Sequence, residues 1–188
     1  MVTIRNIDET FRFYGSFGAK QMDVENGTCF TFPDKSSYIR FWGDLHGFCV
    51  AAVDFTPPED VIFRSQIHQR YLGIGFHEEG RYLSYMRKSD VRESTAGINC
   101  FVLNSPAPHF LKLAKGQRLR FHGMYFQEQF FQENSVRLYD SFWEDAKCSI
   151  GSGEIHSPEL IEIYQRIERC PLTGEPFQIW MRGQGLAA

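Results

Sequence analysis

The chain has 188 residues, a formal net charge of −3, 43% apolar residues and 15% aromatic residues, enough apolar material for a packed core and too much for a disordered chain. No run of about 18 uninterrupted apolar residues occurs, and the start over Met1–Asp8 is mixed rather than basic then apolar. Neither a membrane span nor a secretory leader is predicted, and a cytoplasmic location is expected.

Residues 1–27 are rich in Phe and Gly without a strong period and read as an N-terminal arm that packs on the rest or frays. From there short apolar segments alternate with turn residues: Thr28–Phe32, Tyr38–Trp42, Gly47–Thr56, Val61–Ser65, Gln69–His77, Arg81–Met86, Gly97–Leu103 and Arg118–Phe126. Such a run of short strands predicts an antiparallel sandwich or barrel over 28–150. Punctuation falls at Pro33-Asp34-Lys35-Ser36, Pro57-Pro58-Glu59-Asp60, Glu78-Glu79-Gly80 and Ser105-Pro106-Ala107-Pro108. After Gln127 the period lengthens, and Val136, Leu138, Tyr139, Phe142 and Trp143 predict a short helix over 135–146.

Gly151-Ser152-Gly153 reads as a hinge into a helical hairpin over 151–188. Ser157 can cap the first turn, Pro158 needs no amide partner there, and Glu159 suits the positive end of the dipole. Leu160, Ile163, Tyr164 and Ile167 share one stripe, opposite Glu159, Glu162, Gln165 and Arg166, with Glu162 and Arg166 spaced for an i,i+4 pair. The stripe has two outlets, packing on the sheet or pairing with a second copy of itself. Pro171 and Gly174 then reverse the chain before a second helix opens at Glu175-Pro176-Phe177. Gly183 and Gly185 weaken that helix by about 1 kcal/mol each relative to Ala.

The candidate chemistry is sparse. Cysteines 29, 49, 100, 148 and 170 are odd in number and form no Cys-x-x-Cys pair, so they read as reduced core thiols rather than a disulfide framework or zinc site. No His-x-His occurs, and His77-Glu78-Glu79 is the densest donor cluster; no metal, no other cofactor and no catalytic residue is assigned. Lys112, Lys115, Arg118 and Arg120 form a locally basic stretch that reads as a loop and strand end with solvated charges. The aromatic load is more informative, because a barrel lined by aromatics with a few polar groups can hold a small amphipathic ligand. Arg40 and Trp42 share one side of a strand, as do Arg120 and His122 on another; with Tyr71 and Tyr82 they form the candidate ligand-binding set.

The helix ending in Arg169-Cys170-Pro171-Leu172-Thr173-Gly174, leading into Phe177-Gln178-Ile179-Trp180-Met181-Arg182-Gly183-Gln184-Gly185-Leu186, resembles the end of the regulatory domain of AraC-type transcription regulators. Within that family it is most similar to the siderophore-responsive group, and Tyr71–Gly80 and Gly123–Phe131 extend the similarity over roughly residues 38–188. The resemblance implies a mainly β fold with C-terminal helices: a cupin-like antiparallel β-barrel or jelly roll followed by the hairpin. It implies a small, aromatic or acidic effector and a homodimer formed through Leu160, Ile163, Tyr164 and Ile167. DNA would be read by a helix-turn-helix domain beyond residue 188, since Gly151–Ala188 carries five acidic residues against three arginines. A cupin-type metalloenzyme and a stand-alone small-molecule-binding module are the alternatives.

Overall fold

The structure, a computed structural model, describes residues 2–4, 7–65, 71–85, 91–94, 97–103, 109–134 and 158–187. The elements in chain order are β1 (Val2–Ile4), α1 (Ile7–Ser16), β2 (Lys20–Val24), β3 (Gly27–Thr31), β4 (Tyr38–Gly43), β5 (Phe48–Phe55), β6 (Val61–Ser65) and β7 (Tyr71–Glu79). They continue as β8 (Tyr82–Tyr85), β9 (Arg92–Ser94), β10 (Gly97–Leu103), β11 (His109–Leu113), β12 (Leu119–Gln127), α2 (Glu128–Glu133), α3 (Pro158–Glu168) and α4 (Gly174–Ala187). The fold is mainly β with C-terminal helices. Two sheets are formed, one ordered β1-β6-β11-β8-β9 and the other β10-β7-β12-β5-β4-β3-β2. Among the described residues every pairing is antiparallel except β1 with β6.

The larger sheet is covered on both faces. Its inner face and the smaller sheet enclose an aromatic core of Phe30, Ile39, Phe41, Val53, Phe55, Phe63, Leu113 and Leu119. Its outer face is roofed by α3 and α4, which bury Ile163, Tyr164, Ile167, Phe177 and Met181 against Trp42, Val50, Ala52, Ile74 and Met124. Strand periodicity sends alternate residues to opposite faces, so β5 delivers Cys49, Ala51, Val53 and Phe55 inward and Phe48, Val50, Ala52 and Asp54 outward. All eight of its residues are buried.

Residues 2–24 hold a strand, an amphipathic helix and a strand, more order than an arm read from composition alone. Helix α1 places Phe13 at 2% exposure in the inner core, its ring centroid 4.1 Å from that of Phe63. Strand β11 lies where a loop was expected around Lys112, paired to β6 and β8, with Leu111 and Leu113 toward the core and Lys112 exposed. The helix predicted over 135–146, the Gly151-Ser152-Gly153 hinge and the capping Ser157 lie outside the described residues.

Side-chain hydrogen bonds tie the hairpin to the sheet. Tyr164 Oη donates to the carbonyl of Ile74 on β7 at 2.7 Å. Asn26, in the left-handed region at φ 68° in the β2–β3 turn, donates through Nδ2 to the Leu172 carbonyl and accepts at Oδ1 from the Gly174 amide. Helix α4 remains helical through Gly183 and Gly185, and packing explains why: Gly185 is buried where a β-carbon would lie 3.0 Å from both Phe48 and Phe130. A side chain there lifts α4 from the sheet, so Gly185→Val is expected to lower stability by about 1–3 kcal/mol, read as a shifted denaturation midpoint at unchanged slope.

Candidate functional site

The six sequence-predicted ligand residues separate onto two faces of the larger sheet. Arg40, Trp42, Arg120 and His122 point outward, beneath the hairpin, whereas Tyr71 and Tyr82 belong to the inner side. They therefore do not line one pocket. Along the outer face Arg40, Ala52, His122 and Phe76 form one cross-strand row, and Trp42, Val50, Met124 and Ile74 the next.

The outer row ends are electrostatic. Asp54, 7% exposed, accepts two bonds from Arg118, from Nε at 2.8 Å and Nη2 at 2.7 Å, and lies 3.4 Å from Arg120. Arg120 also meets Glu78 at 3.0 Å, and the other carboxylate oxygen of Glu78 is 3.1 Å from His122 Nε2. Of the basic stretch, Arg118 and Arg120 are thus paired with carboxylates of the larger sheet, whereas Lys112 and Lys115 are exposed. The ring of His122 packs 5.5 Å from that of Tyr164, which links this network to α3. Burial, followed by the charges of Glu168 and Asp54, pushes the Tyr38 phenol above its ordinary value. Arg40 lies 4.7 Å over the ring of Trp42, a cation–π contact, with its Nε buried and unpartnered.

The inner face has a different chemistry. Strand β7 turns Tyr71, Gly73, Gly75 and His77 inward, and β12 turns Phe121, Gly123 and Tyr125 inward beside them, Gly123 opposite Gly75 and Tyr125 opposite Gly73. A β-carbon on Gly123 would collide with the phenol of Tyr125, so that ring folds back over its own strand. Tyr71 and Tyr125 are 6.5 Å apart, and burial pushes the phenols of both, and of Tyr14 on α1, well above the ordinary tyrosine range. Cys49, also inward, has its thiol pushed up to about 12 by burial, with Asp44 adding to the shift.

His77 is the residue the ligand-binding set omitted. It is 4% exposed, its ring stacked on Phe121 at 5.3 Å and tilted against Tyr82 at 5.0 Å, with Nδ1 buried and without a hydrogen-bond partner. Desolvation lowers its pKa from 6.5 to about 4, so the ring is neutral near pH 7. The sequence signal was the inward–outward alternation of Tyr71–His77, which also places Tyr71 on this side. Because His77 and His122 lie on opposite faces of the sheet, they cannot share one metal. Among the described residues no group of three His, Cys, Asp or Glu side chains is arranged to hold a metal ion.

The hairpin stripe finds its outlet on the sheet. Ile163, Tyr164 and Ile167 are 6%, 3% and 1% exposed within a single chain, and Leu160 packs at the margin of the same cluster. Within one chain these residues pack on the sheet, the first of the two outlets open to the stripe. The Glu162–Arg166 pair forms at 2.5 Å. The outward face of α4 carries Ile179 at 68% and Leu186 at 54% exposure, one turn either side of the exposed Gly183. Beside it runs an open groove of about 580 Å³ between the helices, lined in part by Arg166, Arg169, Leu172 and Trp180.

No family model matches the sequence, and no curated protein matches it. Solved structures similar to it include the Cupin_2 domain of an XRE-family transcriptional regulator from Enterobacter cloacae, at 12% identity and TM-score 0.36 over 48% of this chain and 96% of that one. An HTH_3-family transcriptional regulator from Vibrio cholerae is similar at 15% identity and TM-score 0.37, over 51% and 54%. The polyketide cyclase RemF from Streptomyces resistomycificus is similar at 13% identity and TM-score 0.36, over 70% and 92%.

The buried neutral His77 makes stability pH-dependent. Its folded-state pKa lies below the value of 6.5 for a free ring, so its contribution is complete above that pH and is lost as pH falls toward about 4. Wild-type protein is expected to lose about 2–3 kcal/mol between pH 7 and pH 4.5 from this group. His77→Phe, which keeps a ring between Phe121 and Tyr82, is expected to lose that much less in paired denaturant titrations.

Proposed function

We propose that this chain is the effector-sensing and dimerisation part of a transcription regulator of the AraC type, with a small molecule held on the inner face and the helical hairpin as its output. The observation that carries the reading is the two-sidedness of β7: Tyr71 and His77 face the interior, and between them the Ile74 carbonyl anchors Tyr164 of α3 on the other side. A ligand that moves β7 by a fraction of an ångström changes the geometry of that anchor. Such a ligand shifts the hairpin only if it binds the two arrangements with different affinity. The Arg169–Gly174 motif that closes α3 adds the family resemblance, and DNA contact belongs in this reading to a helix-turn-helix region following the hairpin, in the cytoplasm.

Dimerisation in this reading uses the outward face of α4 rather than the buried stripe of α3. Ile179 and Leu186 are large, apolar and exposed, and Gly183 between them lets a second helix approach closely. A two-fold pairing of α4 with its copy buries the same patch twice, as an isologous interface requires. It also presents two DNA-reading modules to repeated half-sites.

Native mass spectrometry of the chain as purified from cells tests the reading. A dimer carrying an organic adduct supports it, and a monomer with one stoichiometric metal overturns it in favour of a cupin-type metalloenzyme. The double substitution Ile179→Asp, Leu186→Asp is expected to give a folded monomer by light scattering, with unchanged far-ultraviolet circular dichroism, whereas dimers persisting in that variant would place the interface elsewhere.

A further inference from the structure

The hairpin has two unlike sides. Ile163, Tyr164 and Ile167 of α3 and Phe177 and Met181 of α4 are buried against the sheet. On the solvent side the helices leave between them the open groove of about 580 Å³. That volume lies within the range of small-molecule sites, about 300–1,000 Å³. The function proposed above does not use it: the inner face is behind the sheet, and Ile179 and Leu186 are not among the residues that line the groove.

The two walls of the groove differ in chemistry. On α4 the wall is the half-buried Trp180, whose ring is backed by the core residue Phe177 at 6.1 Å between centroids. Leu172, 39% exposed, extends that apolar surface at the turn between the helices. On α3 the wall carries Arg166 and Arg169, which at i,i+3 spacing are neighbours on one helix face. Arg166 is engaged by Glu162, and among the described residues Arg169 has no carboxylate partner. A guanidinium offers a carboxylate two parallel N–H donors, and an indole offers a ring a large flat surface. A small inorganic anion would leave Trp180 and Leu172 wet, and a neutral apolar body would forgo both guanidinium groups. A ring ending in a carboxylate uses both walls.

We infer that the groove binds an aromatic carboxylate, its ring against Trp180 and Leu172 and its carboxylate on Arg169, with Arg166 as the second donor. Glu162 opposes this binding, because it already occupies Arg166 and repels a second carboxylate. The walls come from different helices, so an occupant ties α3 to α4. It does so beside the proposed dimer contact, since Trp180 directly follows Ile179.

Proton–nitrogen NMR of the whole chain, titrated with 2-naphthoate and with its neutral counterpart 2-naphthamide, tests this assignment. The Trp180 indole resonance is identified by its loss in Trp180→Phe. Naphthoate is expected to move that resonance, and naphthamide to bind about tenfold more weakly. Arg169→Gln is expected to weaken naphthoate binding about tenfold, and Glu162→Gln to tighten it about threefold by releasing Arg166. Both residues are exposed, and far-ultraviolet circular dichroism checks that the variants fold. Naphthamide binding as tightly as naphthoate, or naphthoate binding indifferent to Arg169→Gln, overturns the carboxylate recognition. A Trp180 resonance unmoved by either probe overturns the site itself. A resonance that shifts with protein concentration alone in the Ile179→Asp, Leu186→Asp background shows the groove filled by a second copy and also overturns the proposal. Each of these results leaves the effector-sensing role standing, because that role makes no use of the groove.

Discussion

Strand β5 has no face to give to water, and most of the molecule follows from covering it. All eight residues from Phe48 to Phe55 are buried. Its inward set needs the second sheet and α1, and its outward set needs a roof of helices. A sheet that alternates apolar and polar residues needs only one cover; β5 alternates apolar with apolar until Asp54. The hairpin is therefore part of this core rather than an appendage, because without it Phe48, Val50 and Ala52 would be bare. Tyr164, Ile167, Phe177 and Met181 supply that roof.

Asp54 is the exception that orients the rest. A carboxylate at 7% exposure is tolerated only with charge and hydrogen bonds around it, and Arg118 supplies both through a two-pronged contact. That contact fixes the start of β12 against the end of β5. Gly80, at φ 94° where a β-carbon would strike the Arg118 carbonyl, brings the end of β7 close by. From there the network passes through Arg120 and Glu78 to His122, and by ring contact to Tyr164. The polar groups of the outer face thus register three strands and one helix against each other.

Much of this was legible in the sequence. The strand segments from Thr28 to Phe126 were readable because turn residues bound them and β-branched and aromatic residues fill them, and α3 because Pro158 and the Ile163, Tyr164, Ile167 stripe carry a 3.6-residue period. Residues 2–24 were less legible since their ordering is tertiary: Phe13 is held by Phe63 and Phe17 by Phe55, contacts far away in sequence. Strand β11 was hidden by Lys112 and by the prolines before it, and its order comes from pairing with β6 on one side and β8 on the other. The candidate site was only half legible. Alternation groups Arg40 with Trp42 and Arg120 with His122, but parity within a strand does not say which face is inside. That depends on which face the helices cover.

The two faces divide the labour of the larger sheet by charge. Ions gather on the outer side and at its rim, where water and opposite charges stabilise them; inside, burial pushes the pKa of three phenols further up and keeps the His77 imidazole neutral. A sheet is one residue thick, so the Ile74 carbonyl and the His77 ring belong to the same strand three residues apart yet sit in unlike media. The hydrogen bond from Tyr164 to the Ile74 carbonyl ties β7 to the hairpin, so the roof over the outer face is registered by the strand whose other side carries Tyr71 and His77.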